Sequence, residues 1–262
     1  VLIMVKYYCK FCNFRTIRYF RLSEHFFSNH FNNFNGINLN LNIFVCHYTK
    51  LLERKKYILN ELNKLDNITY EFINNFDKEE IDNNFFNNTK KVLNKKIKNF
   101  YNFSFRLLKD SEKSLALKHY QALKKMISMN LDYVLIIEDD CKFEKKFINK
   151  LGIIIKNLPT DWDIYIPNSY LELFGYSDNK NILNPNKLIL KRKSPSTAYT
   201  LSYLIRKEAA IKLVNEIENN KISLPIDFEY NWLFDKLNLN VYWNNGNNSL
   251  IRDANLKSSI GH

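Results

Sequence analysis

A run of four apolar residues that ends in three consecutive carboxylates is the feature that most constrains this chain. Val134–Ile137 is followed directly by Glu138, Asp139 and Asp140. A short apolar run rich in β-branched residues is typical of a strand that is buried on both faces of a parallel sheet. Ligands of open α/β sheets bind at the carboxyl ends of such strands, so the acids are predicted to lie at a binding edge.

The three adjacent acids have two interpretations. Side by side they repel one another, unless a cation or an array of hydrogen-bond donors compensates their charge. Mg²⁺ and Mn²⁺ favour carboxylate oxygens and often share them with substrate phosphates, which predicts a metal-bound phosphate ester or nucleotide. The alternative is an acidic turn that caps a following helix over Phe143–Asn157, because acids are favoured at helix N-termini.

The composition indicates a folded protein with room for one large domain, or for a domain and a small module. Of the 262 residues, 45% are hydrophobic and 15% aromatic, which argues against a disordered chain. The net charge of +12 suits phosphorylated substrates, nucleic acid or an anionic membrane surface, without choosing among them.

No segment of the sequence approaches the roughly 20 apolar residues of a membrane span. No export signal is recognisable either, so we expect a cytoplasmic protein. If the protein is viral, this means the cytoplasm of the host cell. In that compartment the four cysteines are expected to be thiols or metal ligands rather than disulfides.

The first 34 residues carry a regular pattern of metal-ligating residues. Cys9, Cys12, His25 and His30 follow the spacing Cys-x2-Cys-x12-His-x4-His. Two thiolates and two imidazoles at this spacing predict a closed tetrahedral Zn²⁺ site, in which a turn holds the cysteines and a helix presents the histidines. The pattern resembles the two-cysteine, two-histidine zinc finger, a small ββα module, and residues 35–41 are then a polar linker.

The zinc-finger resemblance implies a structural Zn²⁺ ion but leaves the partner of the module open. By analogy, Arg18, Arg21 and Glu24 would face a nucleic acid. A single finger buries little surface, so a protein contact or a purely structural role is an equal alternative.

Predicted strands and helices alternate over residues 42–262. This alternation predicts an α/β domain with a largely parallel central sheet. The strands are expected at Ile43–His47, Ile68–Ile73, Val134–Ile137, Asp163–Ile166 and Tyr199–Ile205. The helices are expected at Leu51–Leu65, Ser114–Met129, Phe143–Asn157, Glu208–Ile217 and Phe228–Leu237.

The order of short motifs along this domain resembles glycosyltransferase family 25, which includes lipopolysaccharide and collagen galactosyltransferases. Any single motif is weak, and the resemblance rests on their order over about residues 42–243. The motifs are Thr49–Arg54, Tyr70–Ile73, Ser114-x4-His119, Leu135–Asp140, Ala198–Ser202 and Leu224–Asp227.

The family resemblance implies a GT-A-type nucleotide-sugar-binding domain. It further implies a metal-dependent, inverting transfer of a hexose, with galactose a candidate, from a UDP-sugar to a hydroxyl of a glycan or protein. Asp140 and Glu138 would hold Mn²⁺ or Mg²⁺, while Asp139 or Glu138 would contact ribose or sugar. The ion would neutralise the charge that develops on the departing diphosphate.

The resemblance also implies roles for residues outside the acidic strand. Arg54, Ser114 and His119 would contact the nucleotide-sugar; the alternatives are a solvated helix charge for Arg54 and a hydrogen-bonded residue beneath the nucleotide for His119. An inverting transfer needs a base for the acceptor hydroxyl, and Asp227 is the first candidate, with Glu229 second. Asp227 as the N-cap of the following helix is the competing interpretation.

A second functional hypothesis keeps the fold but not the activity. In it the chain binds nucleic acid or protein through the zinc-finger-like module, and the glycosyltransferase-like domain is an inactive scaffold. This hypothesis predicts binding of nucleic acid or protein that is lost in Cys9→Ser and unchanged in Asp140→Ala.

Overall fold

The structure is a computed structural model that describes most of the α/β domain and two short pieces before it. The predicted zinc ligands Cys9, Cys12, His25 and His30 lie outside the described residues. Tyr7–Tyr8 (β1) and Arg15–Thr16 (β2) pair antiparallel, and in sequence they flank the two cysteines. The described residues are 7–8, 15–16, 39–87, 106–168, 189–191, 200–244 and 249–256.

Seven strands form the central sheet of the domain. They are Leu41–Cys46 (β3), Ile68–Ile73 (β4), Tyr133–Glu138 (β5), Ile164–Ile166 (β7), Ile189–Lys191 (β8), Ser202–Arg206 (β9) and Val241–Asn244 (β10). Their order across the sheet is β4-β3-β5-β9-β7-β10-β8. Two further strands, Cys141–Phe143 (β6) and Ile251–Asp253 (β11), form a separate antiparallel pair directly after the acidic strand.

Most strands of the central sheet run in one direction. β3 is parallel to both β4 and β5, and β10 is parallel to β7. β9 lies between β5 and β7 and is antiparallel to both, which makes β5 and β7 parallel to each other. β8 is antiparallel to β10 at the edge. The prediction of an α/β domain with a mostly parallel sheet is therefore confirmed.

In the described parts of the domain, five helices connect the strands. They are Leu52–Leu62 (α1), Asp110–Ser128 (α2), Phe147–Asn157 (α3), Lys207–Asn220 (α4) and Ile226–Lys236 (α5), with a 3-10 turn at Asn83–Phe85. α2 begins before the predicted Ser114 because Glu112 caps its first turn, where its carboxylate accepts the backbone N–H of Lys109 at 2.8 Å. No helix in the described ranges is long and apolar enough to cross a membrane.

The acidic strand is buried on both faces, as its apolar run predicts. Val134 and Ile136 pack into the core on the side of α2, α4 and α5, and Leu135 and Ile137 pack on the side of α1 and α3. All four are 0% exposed. Burial of each such side chain stabilises the fold by about 1.5–3 kcal/mol relative to exposure, so the strand fixes the position of the acids that follow it.

The three acids do not cap the next helix. α3 begins only at Phe147, with Lys146 at its N-cap, and β6 lies between Asp140 and that helix. The capping interpretation of the acidic triplet is therefore wrong. The acids lie at the carboxyl edge of the sheet, where the parallel strands β3, β4 and β5 all end.

Candidate active site

The register of β3 and β5 brings a histidine beside the acids. Cys46 lies opposite Glu138, so the residues that follow, His47 and Asp139, are neighbours. His47 Nδ1 lies 2.7 Å from Asp139 Oδ2, and both side chains are buried. This contact fixes the orientation of the Asp139 carboxylate. His47 was predicted only as the last residue of a strand and not as a residue of the site, although its place at the carboxyl end of a parallel strand is a signal for such a role.

Arg54 joins two of the three acids. Its Nη1 donates to Asp139 Oδ1 at 2.7 Å, and its Nη2 donates to Asp140 Oδ2. Arg54 is only 8% exposed, so the interpretation as a solvated helix charge is wrong. Because buried carboxylates are costly unless they are paired, the guanidinium compensates part of the negative charge at this edge.

Asp140 combines a raised pKa with a carboxylate oxygen that has no hydrogen-bond partner among the described residues. Burial raises the pKa of Asp140 to about 7; the Glu138 carboxylate adds to the rise, and Arg54 opposes it. Asp140 Oδ1 is buried and has no hydrogen-bond partner among the described residues. Such an oxygen fits a hard divalent cation, although the described residues contain no group of three or more His, Cys, Asp or Glu arranged around one metal position.

Glu138 is held by two neighbours on other elements. The Thr200 hydroxyl donates to Glu138 Oε1 at 2.7 Å, and His119 Nε2 lies 3.8 Å from the same oxygen. Burial favours the protonated form of Glu138, but His119 and Thr200 together lower its pKa. Glu138 is therefore a fixed negative charge, and one of its oxygens is already committed within the protein.

His119 lies beneath the acidic edge. It is 0% exposed, and its Nδ1 lies 3.0 Å from the hydroxyl of Tyr203, which in turn lies 2.9 Å from the hydroxyl of Tyr230. Burial alone would lower the pKa of His119, but the Cys46 thiol and the Glu138 carboxylate raise it to about 10. The imidazolium is thus a buried counter-charge for Glu138.

Asp227 lies beside Thr200, the threonine that also contacts Glu138. Its Oδ1 accepts the backbone N–H of Thr200 at 2.7 Å, so Thr200 contacts Glu138 and Asp227 at once. Burial raises the pKa of Asp227 to about 7, and the Glu138 carboxylate adds to the rise. A carboxyl with this pKa exchanges a proton near neutral pH, which suits a general base.

The N-cap interpretation of Asp227 is wrong. α5 begins at Ile226, its N-cap is Pro225, and no side chain caps it. The second candidate base, Glu229, is 0% exposed, and its Oε2 accepts the backbone N–H groups of Ser223 and Leu224 at 3.2 and 3.1 Å. Its carboxylate thus holds the loop before α5.

An open cleft lies at this edge, between the ends of β3 and β5 and the first turns of α2. Four of the predicted binding residues line it: Arg54, Ser114, Glu138 and Asp139. The lining residues that sequence reasoning missed are Cys46, Tyr48, Lys78, Ser111, Leu115 and Lys118.

Comparison with known proteins gives the chain a family. The model of the family described as "Glycosyltransferase family 25 (LPS biosynthesis protein)" matches residues 40–229. Human procollagen galactosyltransferase 2 is 33% identical over 129 residues, which are 48% of this chain and 20% of that protein. A glycosyltransferase 25 family member from Aedes aegypti is 32% identical over 114 residues, which are 42% of this chain and 18% of that protein. The chain therefore spans about a fifth of the length of these relatives.

Among solved structures, similarity is weaker. A glycosyltransferase involved in the glycosylation of the major capsid of PBCV-1 aligns with a TM-score of 0.41 and 9% identity, over 84% of this chain and 95% of that one. A structural similarity with this TM-score gives no information about the active site. The family model, in contrast, spans most of the chain and includes Arg54, the acidic triplet and Asp227. The chain belongs to glycosyltransferase family 25.

Proposed function

We propose that this protein is a glycosyltransferase that moves a hexose from a UDP-sugar to a hydroxyl group, with inversion at the anomeric carbon. One observation carries the proposal: Arg54, Glu138 and Asp139 line a single cleft, and Thr200 links Glu138 to Asp227, a carboxyl of raised pKa. Family membership supports the reaction class, and the name of the human relative supports galactose as the sugar.

In this proposal, the cleft binds the donor. Arg54, held by Asp139 and Asp140, places a positive charge on the wall of the cleft, where it would stabilise the diphosphate. Asp139, oriented by His47 and Arg54, accepts hydrogen bonds from the ribose or sugar hydroxyls. Glu138, oriented by Thr200, has the same capacity.

Asp140 and Glu138 are the residues that would hold a divalent ion, Mn²⁺ or Mg²⁺. Asp140 fits best, because its buried Oδ1 has no other partner among the described residues. When bound, the ion would supply positive charge for the departing UDP.

Asp227 is the proposed general base. Its carboxylate takes the proton of the acceptor hydroxyl while the acceptor oxygen forms a bond to the anomeric carbon. The bond from that carbon to the diphosphate oxygen breaks at the same time, and UDP leaves with the bonding electrons. The Thr200 N–H holds the Asp227 carboxylate in place, and the nearby Glu138 charge keeps its proton affinity high.

Calorimetric titration of the purified protein with UDP-sugars, with and without Mn²⁺, tests the proposal. We expect UDP-galactose or another UDP-hexose to bind, and Mn²⁺ to strengthen binding in the native protein but not in Asp140→Asn. Asp235→Asn is the matched control, because Asp235 is an exposed carboxylate on α5. Folded protein that binds and hydrolyses none of the UDP-sugars would contradict the proposal and favour an inactive scaffold.

A further inference from the structure

One wall of the cleft is a loop whose backbone is held by side chains of α2. Ser114 and Lys118 are four residues apart and therefore share one face of that helix. The Ser114 hydroxyl donates to the carbonyl oxygen of Phe76 at 2.6 Å. The Lys118 ammonium donates to the carbonyl oxygens of Asn74 at 3.1 Å and Asn75 at 2.9 Å. Three consecutive carbonyls after β4 are thus bound by one helix face.

Lys118 also forms a buried ion pair that reaches the loop after β3. Its Nζ lies 2.7 Å from Asp77 Oδ1, and the two residues are 2% and 5% exposed. Asp77 in turn accepts hydrogen bonds from the backbone N–H and the hydroxyl of Thr49. Burial opposes ionisation of Asp77, but Lys118 and Thr49 lower its pKa below the ordinary value. A buried pair of this kind adds little net stability, so its consequence is to fix one loop conformation.

The backbone of this loop is strained. Phe76 has a φ angle of 65°, which lies in the left-handed region that non-glycine residues avoid. Such a conformation persists only where surrounding contacts over-determine it, and it is most frequent at binding sites. Here the contacts are those of Ser114 with the Phe76 carbonyl and of Lys118 with Asn75 and Asp77, on either side of it.

The two fixed loops place an aromatic ring and a positive charge on the cleft. Tyr48 and Lys78 both line it, and each is the direct sequence neighbour of a clamped residue, Thr49 or Asp77. The Lys78 ammonium lies 5.2 Å from the centroid of the Tyr48 ring. An aromatic face beside a cation suits a planar base and its phosphates.

We propose that Lys118 and Ser114 are positioning residues that clamp residues 74–77, and that this clamp sets the affinity of the cleft for the nucleotide part of the donor. The inference deepens the proposed function and rests on it. Neither residue has to contact the donor in order to change its affinity. Lys118 binds Asp77 and the carbonyl oxygens of Asn74 and Asn75, and these contacts set the positions of Tyr48 and Lys78.

Donor kinetics of Lys118→Met, with Lys124→Met as control, test the clamp. Lys124 lies on the same helix, but its side chain is 49% exposed and pairs with Glu218 on the surface. We expect Lys118→Met to raise the KM for the UDP-sugar at least about tenfold, a loss of about 1.4 kcal/mol. Because the acids and Asp227 are untouched, kcat should change by less than about twofold. Lys124→Met should change neither.

Hydrogen exchange measures the clamp without any substrate. Backbone amides of residues 74–80 should exchange faster in Lys118→Met than in the native protein, while amides of β5 should not. Thr49→Val is the milder second variant, since it removes one bond to Asp77 without leaving a buried charge unpaired, and it should shift the donor KM and the exchange in the same direction. If Lys118→Met does not fold, the donor KM and the hydrogen exchange of Thr49→Val test the clamp instead.

Unchanged donor KM and unchanged exchange in either folded variant would overturn the inference. A fall in kcat with constant KM would overturn it as well, because it would place these residues in the chemical step. Failure of the proposed function has a different signature: native protein would bind no UDP-sugar, while the exchange of residues 74–80 would still report whether Lys118 holds the loop.

Discussion

Replacement of Asp227 by asparagine should remove activity and increase stability at the same time. The carboxyl is half-buried beside Glu138, and desolvation together with that neighbouring charge raises its pKa from the ordinary 3.8 to about 7. Asparagine keeps an oxygen that accepts the Thr200 N–H, and it never ionises. The variant therefore retains the hydrogen bond and loses the cost of holding a negative charge in this place.

The pKa difference gives the size and the pH range of the effect. Below pH 3.8 the carboxyl is protonated in both the folded and the unfolded chain, and it contributes no pH dependence. As the pH rises towards 7, the unfolded chain releases the proton while the folded one keeps it, so the native protein loses stability. The full difference corresponds to about 4 kcal/mol, of which about 3 kcal/mol develops between pH 5 and pH 8.

Urea unfolding of the native protein, Asp227→Asn and Asp235→Asn at pH 5 and pH 8 measures this effect. The stability of Asp227→Asn relative to the native protein should increase by about 3 kcal/mol between the two pH values. The exposed Asp235 should show no such change. Transfer by Asp227→Asn should fall at least about 100-fold, the usual size of a lost general base. A stability difference that is equal at both pH values would refute the burial argument, and full activity would refute the base.

Three further predictions concern other residues. Arg54→Met should weaken UDP binding and tighten Mn²⁺ binding, because it removes a cation from the edge where Asp139 and Asp140 lie; calorimetry that shows both ligands weakened equally would contradict this. Thr200→Val should preserve the N–H bond to Asp227 but free Glu138, and the pH–rate profile should shift while donor KM stays within about threefold; an unshifted profile would contradict the role. Metal analysis of the full chain should find about one Zn²⁺ per molecule, lost in Cys9→Ser with UDP binding retained; zinc-free native protein would refute the module.

The buried strand and its acids were predictable because their signal is local. Four apolar residues followed by acids specify both a buried strand and the point where it ends, whatever the rest of the chain does. The antiparallel insertion of β9 was not predictable, because Ser202–Arg206 is as apolar as a parallel strand would be. The short strands β6, β8, β10 and β11 were missed for a related reason: three or four residues carry too little periodicity to be recognised.

Individual site residues were predictable where they lie next to a motif, and not where partners from distant segments determine their state. The acids and Arg54 were proposed from the sequence, and the structure brings Arg54 into contact with Asp139 and Asp140. The contacts of Lys118 with residues 74–77 link positions about 40 residues apart, and no local pattern reports them. Thr200 was predicted only as a strand residue, because its importance depends on Glu138 and Asp227, which meet it through the β5–β9 pairing and the start of α5.

Glu138, Asp140 and Asp227 lie in different chemical environments, and these differences give them different proposed roles. Glu138 faces a buried imidazolium and the Thr200 hydroxyl, which lower its pKa and keep it charged. Asp140 is desolvated and repelled by that same charge, so its pKa rises to about 7 and one of its oxygens remains without a partner among the described residues. Asp227 is also desolvated and repelled by Glu138, and its pKa rises to about 7 although the hydrogen bond from Thr200 opposes the rise. In the mechanism that we propose, one permanent charge, Glu138, thus prepares one neighbour, Asp140, to accept a cation and another, Asp227, to accept a proton.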